Sequence, residues 1–367
     1  MKRKILKNLA IYPFQFIFSI TKLIDKEGEG AMGAASNAFE KVYYKYCNFK
    51  LRAKDINKCI PSKINTDSRV NEFAIIIQGP IDEKDNFTYN TIKVYKKNYP
   101  KALIIISTWD SANPKIVNKL KELGCIIILN KTFSPSGLGN VNYQICTSLA
   151  GIKKAKEMGA KYVLKTRSDF RINKSFALEY LKTLIELVPS KDTSKLKGRV
   201  ISLAGASGQM FIPFWIQDFL YFGYTEDMEM LFDIPYDNRN IPSAISFITN
   251  KYKPCTGRNL EDENVAEIYI TKHFVSKLTK IEPTVKCFWE CITKYFLIVD
   301  YDDLNIYWNK YGRRSLSKEN SEFIGSKTIE DPYRNLNLDT SLCIIQGHIL
   351  YEEWMENVMD NFYLNNK

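Results

Sequence analysis

No glycine-rich G-x-G-x-x-G turn follows the first strand-like run of this 367-residue chain, and no G-x-x-x-x-G-K-[ST] occurs anywhere in it. Dinucleotide-dependent dehydrogenases and P-loop ATPases are excluded on that ground, because both cradle phosphates on such loops. No helix-turn-helix, zinc-finger or RNP signature is present, and the basic residues are scattered with lysine dominant, so nucleic acid is not the partner. Histidine is scarce, at two residues, His273 and His348. The eight cysteines form no disulfide framework: Cys125 and Cys146 sit inside apolar patterns as buried thiols, and Cys287 and Cys291 lack the second pair a zinc site needs. Unpaired cysteines point to the cytoplasm. No apolar run is long enough to span a bilayer, and no internal repeat is visible.

What is present is a basic, globular composition. Apolar residues make up 45% of the chain, and 52 basic against 41 acidic residues give a formal charge of +11. Much of that excess is solvated surface, and the remainder suits an acidic partner such as a nucleotide or an anionic membrane. The pattern divides the chain at about 1–70, 71–282 and 283–367. The first part opens with Lys2, Arg3, Lys4 and Lys7 ahead of an apolar stretch from Leu9 to Ile20 that Pro13 interrupts. Such a segment suits the headgroup layer of a membrane; an amphipathic helix packed on the domain is the alternative. The last part mixes short apolar runs with polar loops.

From Phe73 the apolar runs alternate with helical patterns. Phe73–Gln78, Leu103–Ser107, Cys125–Leu129 and Tyr162–Leu164 read as strands. Thr91–Lys97, Pro114–Leu123 and a segment from Val141 read as the helices between them, ahead of a helix at Ser175–Leu187 and a strand at Val200–Leu203. Strands separated by helices in this way imply a mostly parallel sheet with right-handed crossovers. Asn259–Leu278 reads as one further helix. The aromatics between Ile212 and Leu231, with Asp218, Glu226 and Asp227 among them, suit either a core or a sugar-stacking surface.

The most informative stretch is Leu138–Arg171, LGNVNYQICTSLAGIKKAKEMGAKYVLKTRSDFR. Ile145, Leu149, Ile152 and Ala155 recur at helical spacing, Gly159 stops the helix, and a short buried strand delivers Lys165 to Arg171 at its carboxyl end. Open α/β sheets bind ligands at the carboxyl ends of their strands. A carboxylate, Asp169, two positions from both Arg167 and Arg171 there suits a phosphate, paired directly or through a metal.

Phe73 with IIIQGPI, TIKVYKKNYP, IIISTWDS, NVNYQICTSLAGIKKA and YVLKTRSDFRI, in that order, resembles the WavE lipopolysaccharide-synthesis family. The resemblance is dense from Phe73 to Ile172 and traceable to about Leu278. It implies a GT-A-like, Rossmann-type α/β fold, a mostly parallel sheet flanked by helices; the residue pattern adds an N-terminal helical extension and a C-terminal helical or mixed region. It also implies a glycosyltransferase; with the basic N-terminus and the unpaired cysteines, the expectation is an enzyme at the inner face of the membrane, moving sugar from a nucleotide-sugar donor to a lipid-linked or polysaccharide acceptor of lipopolysaccharide or capsule. A sugar- or polyol-phosphate transferase of capsule assembly and a non-catalytic scaffold of the assembly complex are the other readings.

Under that resemblance three tasks find candidates. GT-A enzymes commonly neutralise the diphosphate with Mn²⁺ or Mg²⁺ on an Asp-x-Asp motif, often with a C-terminal histidine. Asp169 fills the second acid, Arg167 replaces the first, and His348 is the candidate remote ligand. Arg167, Arg171 and Lys165 are candidates for direct phosphate contact. AEIYI, Ala266–Ile270, partly matches the family's Pro-Glu-Gln-Tyr-like motif and makes Glu267 the candidate base. Gln78, Gly79 and Pro80 after the first strand, Ser107, Thr108 and Trp109 after the second, and Asn140 and Asn142 before the helix are candidates for base and ribose. Asn142 is also a candidate helix N-cap.

Overall fold

A computed structural model describes residues 71–190, 195–203, 212–252, 257–299 and 303–309. The chain divides into two compact units, 1–60 and 61–367, and every described residue lies in the second. The basic N-terminal segment and His348 lie outside the described residues. The elements in chain order are β1 (Phe73–Gln78), α1 (Phe87–Asn98), β2 (Leu103–Trp109), α2 (Pro114–Glu122), β3 (Ile126–Asn130), β4 (Gly137–Leu138), α3 (Val141–Glu157), β5 (Tyr162–Arg167) and β6 (Phe170–Ile172). There follow α4 (Ala177–Leu187), β7 (Val200–Leu203), β8 (Tyr221–Tyr224), α5 (Thr225–Phe232), β9 (Asn240–Ile241), α6 (Ala244–Lys251), α7 (Gly257–Asp262), α8 (Ala266–Leu278), α9 (Val285–Tyr295), β10 (Phe296–Val299) and β11 (Ile306–Trp308).

Among the described residues seven strands form one sheet, in the order β10-β7-β8-β5-β1-β2-β3. Only β8 runs antiparallel to its neighbours β5 and β7; the other pairings are parallel. This is the mostly parallel, helix-flanked α/β sheet that the alternating pattern implies. The fully buried, continuous apolar run of β1 is what a central parallel strand requires, since helices cover both its faces. Helix α3 lies close on that strand because residue 151 is glycine: a Cβ there would come within 2.5 Å of Ile76 Cγ2. Phe73, Tyr162 and Phe222 pack together at the amino-terminal edge of the central strands, with ring centroids 5.7 to 6.4 Å apart. The opposite, carboxyl edge is left for loops.

Three boundaries differ from the sequence reading. Strand β5 runs on to Arg167, which stands in register with Gln78. The helix read across Asn259–Leu278 is two, α7 and α8, separated where Asn264 adopts a φ of 48°. Strand β10 belongs to the main sheet and β11 pairs with β6, so the described part of 283–367 is built into the same fold as 71–282. Among the described residues no helix is long and apolar enough to cross a membrane. Cys125 is buried, and burial lifts its thiol to about 11.

Candidate functional site

Strand β1 lies between β2 and β5, so the crossovers leave it in opposite directions and open a crevice past its carboxyl end. A cleft of about 690 Å³ occupies that place. Gln78, Gly79 and Pro80 line it from the end of β1, Trp109 from β2, Asn140, Tyr143 and Gln144 from the start of α3, and Arg167, Ser168 and Asp169 from the turn after β5. Gly79 adopts a φ of +99°, a conformation open to glycine that turns the chain away from the sheet there. The Thr147 hydroxyl donates to Gln78 Oε1 at 3.0 Å, tying α3 to β1 beneath the cleft. Ser168 stitches the opposite wall: its N–H donates to the Gln78 carbonyl, its hydroxyl donates to the Pro80 carbonyl, and its own carbonyl accepts from Thr88.

The two ends of the cleft differ in chemistry. At one, Trp109 meets Tyr143 edge to face at 4.9 Å, and Asn140 caps α3 in the left-handed region with its amide donating to the Pro242 carbonyl. At the other, Arg167 Nε and Nη2 donate to the two oxygens of Asp169 at 2.9 and 3.0 Å. The Trp308 indole N–H donates to Asp169 Oδ2 at 3.0 Å, and the Arg167 guanidinium lies over the rings of Phe219 and Trp308. Burial opposes the charge on Asp169, but the hydrogen bonds and charge of Arg167, with Trp308, outweigh it and hold the carboxyl below its usual range. The same pairing outweighs burial at Arg167 and raises its pKa.

Several sequence candidates are placed elsewhere, and these are corrections. Arg171 is buried behind α1, donating to Thr91 Oγ1 at 3.0 Å and stacking on Phe87 at 4.6 Å. The turn at Ser168–Asp169 ends one strand and starts another, so the alternation that would have aimed Arg171 beside Arg167 is broken. Asn142 is neither ligand nor N-cap: it is fully buried inside α3, donating to the Pro135 and Asp237 carbonyls and accepting from Asp237 N–H. Ser107 and Thr108 are buried in β2, where Ser107 accepts from Asn130. Lys165 is fully buried beneath the cleft, donating to the Asp218 carbonyl at 2.6 Å between the rings of Tyr221 and Phe232. Burial lowers its pKa to about 7 against the pull of Asp218.

Glu267 sits in the first turn of α8, outside the cleft lining and partly exposed, in electrostatic reach of Asp218, Arg167 and Lys165. Burial, then the charge of Asp218, lift its pKa to about 8. The aromatics of 212–231 are mainly core, with Phe214, Tyr221 and Phe222 fully buried. Asp227 is structural, accepting from the N–H groups of Lys197 and Gly198. His273 packs on Tyr269 one turn before it on α8.

The sequence reading missed Asp82, Lys84, Trp308 and Asn309. Asp82 Oδ1 accepts from Lys84 N–H and Oδ2 from Asn309 Nδ2. Among the described residues the cleft therefore carries two cations, Lys84 and Arg167, and two carboxylates, Asp82 and Asp169, each carboxylate already hydrogen-bonded. Among the described residues no three His, Cys, Asp or Glu side chains come together to hold a metal ion. The described donors form no all-protein site for Mn²⁺ or Mg²⁺, and Asp169 is already ion-paired with Arg167.

Three solved structures are similar to parts of this chain. Mouse xyloside xylosyltransferase 1 in its apo form matches 65% of this chain and 97% of its own, at 8% identity and a TM-score of 0.35. The mannosyltransferase PcManGT from Pyrobaculum calidifontis, in complex with GDP-Man and Mn²⁺, matches 57% of this chain and 59% of its own, at 13% identity and a TM-score of 0.29. S. aureus TarS 1-349 matches 43% and 48%, at 15% identity and a TM-score of 0.29. No curated protein matches. Residues 73–304, well over half the sequence and the whole of the cleft except Asn309, match a family described as WavE lipopolysaccharide synthesis. The match starts at the first residue of β1 and runs past β10, so the sheet and the cleft walls it carries are those of the family, and the chain belongs to the WavE lipopolysaccharide synthesis family.

Proposed function

We propose that this chain is a glycosyltransferase that moves a sugar from a nucleotide-sugar donor to a growing surface polysaccharide or its lipid-linked precursor. The observation that carries the reading is the polarity of the cleft. It is aromatic and amide-lined at the Trp109–Tyr143–Asn140 end and carries an oriented guanidinium at the Arg167 end. Its volume, about 690 Å³, suits a ligand of nucleotide-sugar size. A base stacks at the first end, and the diphosphate reaches Arg167, where charge grows as the sugar leaves. Glu267, outside the donor cleft but in electrostatic reach of Arg167, is our candidate for the base on the acceptor hydroxyl. A carboxylate with a pKa of about 8 exchanges its proton near neutrality, as general acid–base work demands. The +11 charge supports an anionic membrane surface as the second partner.

A thermal-shift panel of UDP-, GDP-, CDP- and CMP-sugars tests this directly. One nucleotide class is expected to raise the melting temperature of the wild type, and Trp109→Phe, which keeps a ring at this buried position, to shrink the rise. A panel without any stabilising nucleotide would end the donor assignment.

A further inference from the structure

We infer that the donor diphosphate is held by Arg167 directly, without a bridging divalent cation, and that Asp169 and Trp308 are positioning residues that aim the guanidinium. The inference rests on the reading of the cleft as a nucleotide-sugar site and names how that site takes its anion.

A guanidinium carries five N–H groups on two usable edges. Asp169 takes one edge, Nε with Nη2. No other described residue takes Nη1, so the second edge, Nη1 with the remaining Nη2 hydrogen, is left for two oxygens of an anion. Arg167 lines the cleft and its side chain is 26% exposed against 13% for Asp169, so an entering anion meets the arginine first. The ring faces of Phe219 and Trp308, with centroids 5.4 and 5.8 Å from the guanidinium carbon, fix its plane.

The carboxylates are committed elsewhere. Asp169 Oδ2 accepts from both Arg167 and Trp308, and Oδ1 accepts from Arg167. The other carboxylate of the cleft, Asp82, accepts from Lys84 N–H and Asn309 Nδ2. Two consecutive residues, Trp308 and Asn309, thus bind one cleft carboxylate each, and Asn309 N–H also donates to the Asp169 carbonyl. A cation on the free lone pairs of these carboxylates would leave their hydrogen bonds in place, but on Asp169 it would stand against the guanidinium that pairs with the same carboxylate. An anion on the outer edge of Arg167 displaces none of these hydrogen bonds.

Isothermal titration of the full chain with UDP, GDP, CDP and inorganic pyrophosphate, in EDTA and in Mn²⁺, tests the inference. The nucleoside diphosphate that binds is expected to do so within about 3-fold of the same affinity in both buffers. Arg167→Lys keeps the charge and loses the planar edge, and should weaken binding about 10- to 100-fold. Trp308→Phe keeps a ring and loses the N–H, and should weaken binding about 3- to 10-fold. It should add nothing in the Arg167→Lys background, because it acts through that arginine; a merely structural tryptophan would weaken both backgrounds equally. Binding that requires Mn²⁺, an equal effect of Trp308→Phe in both backgrounds, or no binding of any diphosphate or pyrophosphate overturns the inference. Arg167-dependent binding of pyrophosphate in EDTA with no nucleoside diphosphate bound would sustain it while removing the nucleotide-sugar reading.

Discussion

Asn142→Ala separates a ligand-binding asparagine from one that holds the cleft together. The side chain is fully buried and makes three hydrogen bonds to main chain: to the Pro135 carbonyl at 2.8 Å, to the Asp237 carbonyl at 2.7 Å, and from Asp237 N–H at 2.7 Å. Truncation strands two acceptors and a donor away from water. At about 1–3 kcal/mol for each buried group left unpaired, and allowing for non-additivity and some relaxation, the loss is roughly 3–5 kcal/mol. Asn142→Asp should be no milder. It keeps an acceptor for Asp237 N–H but sets its second oxygen against two carbonyls. Urea unfolding followed by tryptophan fluorescence gives the stability, and titration of the folded variant with the stabilising nucleotide gives affinity. Unchanged stability, within about 0.5 kcal/mol, together with lost nucleotide affinity would refute the structural role and return Asn142 to the binding site.

Glu267 should leave a pH signature. Between the ordinary carboxyl value of 4.5 and its folded value of about 8, the folded state keeps a proton that the unfolded state has lost, so stability from this group falls as pH rises through that window. Glu267→Gln removes the fall, and its stability relative to wild type should gain on the order of 1–2 kcal/mol between pH 5 and pH 8.5, the partial exposure of the group discounted; a flat difference in urea midpoints would contradict it. Gly151→Ala should destabilise by about 1–2 kcal/mol, because the contact of its Cβ with Ile76 outweighs the gain of about 1 kcal/mol in helix propensity. The cost should shrink in an Ile76→Ala background; a stabilised Gly151→Ala protein would show that α3 stands off the sheet.

The sheet was legible because its signal is local. Apolar runs such as FAIIIQ and LIIISTW, separated by helical spacings, allow little other than parallel strands with crossovers, and the strand-end rule then places Gln78, Gly79, Trp109 and Arg167 on one edge. The rule names the edge and leaves open which side chains face the ligand. Alternation would put Arg167, Asp169 and Arg171 together only along one continuous strand. Whether the chain turns at Ser168 depends on the pairing of Phe170 with Trp308 and Arg171 with Tyr307, and that partner strand comes from far along the sequence. Trp308 and Asn309 escaped notice for the same reason: their partners Asp169 and Asp82 are 139 and 227 residues away.

The polar residues that proved structural explain how the site is assembled. Asn142 fixes the main chain of Asp237, the Asp237 carboxylate accepts from Leu138 N–H and pairs with Arg239, and Arg239 donates onward to the carbonyls of Glu263 and Asn264. That turn is where α7 stops and the chain re-enters α8, two residues before the helix that carries Glu267 begins. The loop presenting Asn140 to the cleft and the helix presenting Glu267 are therefore joined by one chain of hydrogen bonds, buried at Asn142 and part-buried at Arg239. Replacing any member with an apolar side chain leaves main-chain groups unpaired, so the asparagine and arginine are needed where they are although neither lines the cleft. A polar residue beside a strand end thus has two routes to importance: touching the ligand, or holding in place the segment that does.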